Sequence, residues 1–281
     1  MRPRIGGMAF GNGVLMRSKG CWAWARSDGT VVGGRVTSLL DRSRLLRLPL
    51  LRSLVALAEM LVFAVRLQYR NGFRANLRLL ACLSLWVVVS EWLGSLSYGA
   101  LGGGWLGELV AQLVMFVFGL VALQCGMGVR LWRYHGAEHK AVNAYEAGAD
   151  LGDVALVSRY SRIHDRCGTN LVAIMVVLSL AYLPLAQLLP GSTFSFAYSL
   201  LAVTLAFELF RLVTGRPQAG ACRAVLFVGR TLQRVLTTRE PEARQLEVAC
   251  RALRRVAALD AVHEAEVLPT AWLGVEGLTK G

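Results

Sequence analysis

At 281 residues, 55% hydrophobic and only 17% charged, with a mean hydropathy of +0.48, the chain is more apolar than a soluble domain of about 45–50% apolar and about 25% charged content. Its net charge of +13 would suit nucleic acid in a soluble protein. Basic patches interleaved with aromatics are not evident, however, so nucleic acid is disfavoured and the excess reads first as attraction to the anionic cytoplasmic leaflet of a membrane. Six scattered cysteines without a CxxC pair argue against a disulfide framework and fit a reducing compartment.

Residues 1–48 are predicted to be a cytoplasmic, β-rich segment. Gly13–Met16, Cys21–Ala25 and Thr30–Val32 are short runs between turn residues, and Ser27-Asp28-Gly29 suits a hairpin because Gly tolerates positive φ. No apolar stretch with a cleavage site follows Arg2 and Arg4, so a cleaved signal peptide is not expected. Within 49–78, Leu54–Val65 is a 12-residue apolar run flanked by Arg52 and Arg66. It would reach about 18 Å against a bilayer core of about 30 Å, which predicts an interfacial or re-entrant helix, with a tilted span as the alternative.

Two pairs of long apolar runs follow. Leu79–Leu101 and Glu108–Gly126 occupy 79–126, and Thr169–Leu189 and Thr193–Val213 occupy 169–213. Each has about the 17–25 residues of a spanning helix. Breakers join each pair, Gly102-Gly103-Gly104 and Pro190-Gly191-Ser192. Segment 127–168 between the pairs is a polar loop. Segment 214–281 holds an interfacial helix over Gly220–Leu236, then a second helix with Pro241 in its first turn, capped by Thr237 or Thr238. The second helix has an apolar stripe of Leu246, Ala249/Cys250, Leu253 and Val256/Ala257 opposite Arg251, Arg254 and Arg255. The tail after about Leu268 is expected to be poorly ordered.

Charge placement gives the orientation. Fourteen Lys/Arg precede the first long run, counting its edge residue Arg78; six lie in 127–168 and 11 from Arg211 onward, which accounts for all 31. The connectors at 101–108 and 190–193 carry none. The expectation is a mainly α, polytopic inner-membrane protein with about four transmembrane helices and both termini cytoplasmic, supplemented by the β-meander, the re-entrant helix and the C-terminal amphipathic helices.

Three of the four histidines fall in the polar loop. His135 and His139 are four apart and share a helical face, with Glu138 beside them. The pattern H-x-x-E-H has the spacing of inverted zincins, in which two His bind zinc and the Glu acts as general base. His164 and Cys167, three apart, are also common zinc ligands. Against this stand two plainer readings, solvated loop histidines and exposed Glu–Arg or Glu–Lys pairs. The concentration of histidines favours a shared site for zinc or another divalent metal, with His135, His139, His164 and Cys167 as ligands. Four ligands would close a structural site; three would leave an open position, with Glu138 as base and Arg133, Arg162 or Arg166 stabilising an oxyanion or holding an anionic headgroup.

Glu91 and Glu208 sit in or near the spans, where acids face a bundle interior or water. Glu91 reads as part of a substrate or proton path or as an interfacial residue, and Glu208 as an internal ion pair with Arg211. The glycines of Gly6–Gly13 read as tight turns, since no Walker Lys accompanies them.

Tyr134-His135-Gly136-Ala137-Glu138-His139-Lys140, Asn143, Tyr145-Glu146, His164 and Arg166-Cys167-Gly168-Thr169 resemble the hallmark segments of the bacterial YqhQ family. Ile5-Gly6-Gly7-Met8-Ala9 with Gly13–Arg17, and Leu236–Pro241, resemble its terminal segments. The resemblance implies a multipass membrane protein described as a predicted metal-dependent enzyme, with the two central motifs acting as one unit. One departure is Asn12, where the family pattern is expected to carry Glu. Asn is a poor base and a weak ligand, so any role of that Glu is in question here.

The expected function is a zinc-dependent membrane enzyme, a hydrolase working at the cytoplasmic interface among membrane lipids. The alternative is a non-catalytic scaffold with a structural metal that docks a membrane-associated protein partner.

Overall fold

The computed structural model describes residues 3–41, 43–71, 77–102, 104–188 and 192–267. The Gly103 and Pro190-Gly191 breakers and the tail from Leu268 lie outside the described residues. The chain divides into two units, one of 1–38, 130–163 and 238–281, the other of 39–129 and 164–237.

The first unit starts with a four-stranded antiparallel meander in sequential order, β1 (Gly6–Phe10), β2 (Gly13–Arg17), β3 (Cys21–Arg26) and β4 (Val31–Arg35). The β3–β4 hairpin turns at Ser27-Asp28-Gly29 as expected: Gly29 has φ 95°, and the Asp28 carboxylate accepts from the Thr30 N–H at 2.9 Å. The reading of the N-terminal glycines as turns holds at Gly11, which turns with Asn12 between β1 and β2, but not at Gly6 and Gly7, which lie in β1 opposite Arg17 and Met16. Helix α8 (Ala243–Val267) lies across β2, β3 and β4. Its predicted stripe is the buried face: Leu246, Ala249, Cys250, Leu253 and Val256 are at most 2% exposed, while Arg254 and Arg255 face outward.

The second half of a long helix completes this unit. α3 runs Gly104–Glu146 and breaks at Gly128, whose φ of 71° and ψ of 163° interrupt the helical backbone. A side chain would be strained there, so glycine sets the break. Beyond it, Tyr134, Ala137, Ala141, Val142 and Tyr145 join Val14, Met16, Ala23, Leu253 and Val256 in one core. Short helix α4 (Val154–Ser158) is capped by Asp153, which accepts from the Leu156 N–H.

The second unit holds α1 (Leu51–Asn71), α2 (Leu77–Ala100), the first half of α3, α5 (Gly168–Leu188), α6 (Ser192–Gly215) and α7 (Gly220–Leu232). Helix α1 has 21 residues, not the 12 of its apolar run; Arg66 and the polar residues after it are good helix formers and continue it. α2, the first half of α3, α5 and α6 coincide with the four long apolar runs. Among the described residues, one stretch, Ala197–Gly215, is long and apolar enough to cross a membrane, with shorter apolar stretches at Leu109–Gly119 and Gly168–Tyr182. α5 packs on α6 and α7 around Ile174, Ala206, Val213, Cys222 and Leu226.

Glu208 does not pair with Arg211 as expected. Its carboxylate accepts from Arg52 Nε at 2.8 Å, from a second Arg52 nitrogen and from Ser53 Oγ at 2.6 Å. Contact of α1 with α6 supplies a bidentate partner, whereas Arg211 points outward. Helix α8 likewise begins two residues after Pro241, with the Gln245 side chain accepting from the Glu242 N–H at 2.7 Å. This Gln cap replaces the predicted threonine one.

Candidate functional site

In the first unit the site is built on α3 after the Gly128 break. The four-residue spacing puts His135 and His139 ring to ring, centroids 4.4 Å apart and planes at 61°. His139 is buried and His135 half-buried. His139 Nδ1 lies 2.7 Å from the Arg162 carbonyl oxygen. A carbonyl can only accept, so Nδ1 carries a proton and Nε2 is the ring nitrogen left to bind a metal. This is the outer hydrogen bond that orients metal-binding histidines.

Glu138 is 6% exposed. Its Oε2 has no hydrogen-bond partner among the described residues, and burial pushes its carboxyl up to about 8. A buried acid without a partner for one oxygen is costly and needs a reason. Gly7 of β1 makes room for it: a Cβ there would lie 2.8 Å from Glu138 Cδ and Oε1. Gly136 plays the same part toward the C-terminal segment. A Cβ on Gly136 would sit 2.1 Å from the Arg239 carbonyl oxygen, and the Arg239 N–H donates to the Trp132 carbonyl at 2.9 Å.

The next turn of α3 gathers a loop by its carbonyls. Lys140 Nζ donates to Ser158 O at 2.6 Å, and Asn143 Nδ2 to Ser161 O at 2.7 Å and Ile163 O at 3.0 Å. Buried Lys140 is also paired with Glu240. Arg162 donates to the Thr238 carbonyl at 2.8 Å and to its hydroxyl at 2.6 Å, and lies 3.6 Å from Glu240. Arg133 pairs with Glu242. The predicted arginines 133 and 162 thus engage the C-terminal segment. Lys140, Asn143 and Glu240 were not singled out for function from the sequence, although all three stand in the segments that carry the family resemblance.

In the second unit, His164 and fully buried Gln233 exchange hydrogen bonds: the His164 N–H donates to Gln233 Oε1 at 2.9 Å, and Gln233 Nε2 to the His164 carbonyl at 3.1 Å. His164 Nδ1 accepts from the Arg166 N–H at 3.3 Å. Cys167 immediately precedes α5, and its sulfur accepts from the Thr169 N–H at 3.4 Å. Asp165 makes a two-pronged pair with Arg230, both contacts 2.7 Å. His135 and His139 bring two imidazoles together on α3 in the first unit, while His164 and Cys167 belong to the second. Two imidazoles on one helical face are donors that suit zinc.

The family model described as "Protein of unknown function (DUF1385)" matches residues 48–259. The chain is 30% identical over 144 residues to the uncharacterized protein YqhQ of Bacillus subtilis (strain 168), an alignment covering 50% of this chain and 45% of that protein. The chain therefore spans less than half the length of the curated relative it matches. No solved structure matches.

Proposed function

We propose for this chain, which belongs to the DUF1385 family of proteins of unknown function, the role of a zinc-dependent hydrolase seated in the inner membrane with its site on the cytoplasmic side. The observation that carries this reading is the state of the H-x-x-E-H turn: paired imidazoles, one anchored through Nδ1 on the Arg162 carbonyl, beside a buried carboxyl with an unpartnered oxygen. A scaffold would gain nothing from that carboxyl, which costs stability. A general base, by contrast, needs a pKa near its working pH.

In this reading His135 and His139 hold the ion together with either His164 or Cys167. Three protein ligands leave a fourth position for water, where a bound zinc would supply Lewis acidity. Glu138 takes the proton from the attacking water. Arg133, Arg162 and Arg166 supply positive charge for an oxyanion or an anionic group of the substrate.

The membrane placement extends the one apolar stretch at Ala197–Gly215 to four spans, α2, the first half of α3, α5 and α6, with both termini cytoplasmic. Large exposed apolar residues on these helices, among them Leu85, Val88, Trp92, Val117, Val177 and Leu200, are suited to contact with lipid tails. The empty outer connectors and the clustered Lys/Arg support the orientation.

The test is metal analysis of protein purified without chelators. Wild type should carry about one zinc per chain, His139→Ala should lose it, and Glu138→Gln should keep it while abolishing function. Folded, metal-free wild type would refute the proposal. Retained function in Glu138→Gln would leave the structural-metal scaffold instead.

A further inference from the structure

The second unit holds a half-open cavity of about 550 Å³ that the metal chemistry does not use. Four helices line it, and each contributes one uncharged or acidic polar side chain: Glu91 from α2, Gln112 from α3, Ser179 from α5 and Ser199 from α6. The remaining wall is mostly apolar, with Met115, Phe116, Met175 and Leu180 prominent. On one side the Tyr182 and Tyr198 rings meet with centroids 4.7 Å apart and planes tilted by 36°, and the Tyr198 hydroxyl donates to the Leu178 carbonyl at 2.6 Å. Among the described residues that line the cavity there is one acid, Glu91, and no Lys, Arg or His.

Glu91 lies nine residues before the end of α2 at Ala100, about 14 Å along the helix axis. In a bilayer core of about 30 Å that is close to mid-depth. An acid at that depth is costly facing lipid and is kept where it meets a cavity or a partner of opposite charge. The cavity has the size and character of a small-molecule site, mostly apolar with a few convergent polar groups.

We propose that this cavity binds an amphiphile with a protonated amine head and a single alkyl chain, the ammonium on Glu91 and the chain along the methionine- and leucine-lined wall. The charge selects the head: one carboxylate, with no Lys, Arg or His among the described residues that line the cavity, favours a cation and repels a carboxylate or phosphate. Gln112, Ser179 and Ser199 add acceptors for the ammonium protons. Flexible methionines on facing helices adapt to a featureless chain. The inference rests on the membrane reading above but not on the metal.

The experiment uses the full chain in nanodiscs of uncharged lipid, with empty nanodiscs subtracted, and measures binding of dodecylamine, dodecanol and dodecanoate. Dodecylamine should bind saturably and most tightly, dodecanol more weakly, and dodecanoate not at all. Glu91→Gln should weaken dodecylamine by about tenfold, to the level of dodecanol. Ala202→Phe, which fills the cavity from a buried position on α6, should abolish binding of both. If Glu91→Gln does not fold, the Ala202→Phe result decides alone. Equal binding of amine and carboxylate, or undiminished amine binding in a folded variant, overturns the proposal. His139→Ala should bind dodecylamine normally, so failure of the zinc reading leaves this result intact. Resistance of the protein to carbonate extraction tests the membrane placement separately.

Discussion

Adding a single methyl group at Gly136 sets two effects of opposite sign against each other. Alanine in place of glycine within a helix is worth about 1 kcal/mol of stability from propensity alone. At Gly136, however, the new Cβ would lie 2.1 Å from the Arg239 carbonyl oxygen, so the Arg239 backbone must retreat by about an ångström to reach ordinary contact. That retreat strains or breaks the Arg239–Trp132 hydrogen bond of 2.9 Å and drags Thr238 and Glu240 from Arg162 and Lys140. Overpacking costs about 1–3 kcal/mol and each lost hydrogen bond about 1 kcal/mol. With two of these bonds lost and the propensity gain subtracted, Gly136→Ala should destabilise the protein by about 2–4 kcal/mol. The matched control is Gly99→Ala, also helical, where the Cβ meets nothing within 4 Å and the propensity gain should stand alone. Denaturant unfolding of both variants beside wild type reads the two signs directly. A Gly136→Ala protein as stable as Gly99→Ala would refute the close approach of the C-terminal segment to α3.

Glu138→Gln should change how stability depends on pH. Because burial raises the carboxyl to about 8 in the folded protein, folding favours its protonated form, and metal-free wild type should lose about 3 kcal/mol relative to the variant between pH 5 and pH 8; parallel unfolding profiles across that range would contradict the burial. Glu240→Gln removes the counter-charge of buried Lys140 and should cost about 1–2 kcal/mol, whereas the double variant with Lys140→Met should recover part of it; a purely additive double-mutant cycle would show that the two do not interact. Asp165→Asn breaks a two-pronged contact with Arg230 that is part-exposed, so a loss of about 1 kcal/mol, shrinking in high salt, is expected in urea titrations.

Features set by neighbours in sequence were readable without coordinates. The Ser27–Gly29 hairpin follows from Gly at a positive-φ position, and the α8 stripe from three- and four-residue spacing, as does the ring-to-ring approach of His135 and His139. What escaped depends on distant partners. Nothing local to Glu208 announces Arg52, 156 residues away, and a nearer arginine at position 211 invited the wrong pairing. Strand β1 was hidden because Gly6 and Gly7 look like turn residues, yet Gly7 is small because Glu138 fills the space above it. Helix α1 was read short because hydropathy marks only its apolar part, while helicity continues through Arg66 and beyond. Lys140, Asn143 and Glu240 owe their roles to carbonyls and charges brought in by other segments, so their residue types alone carried no warning.

The three-segment make-up of the first unit constrains how the chain can mature. Strand β3 ends at Arg26 and α8 begins at Ala243, so the helix that buries the meander's inner surface is translated more than 200 residues later. Through that interval Val14, Met16 and Ala23 lack the α8 part of their core, a long-range closure that is slow and aggregation-exposed. A nascent chain stalled before Ala243 should therefore be a chaperone client, protease-sensitive in its first 40 residues, and should become resistant once α8 has left the ribosome.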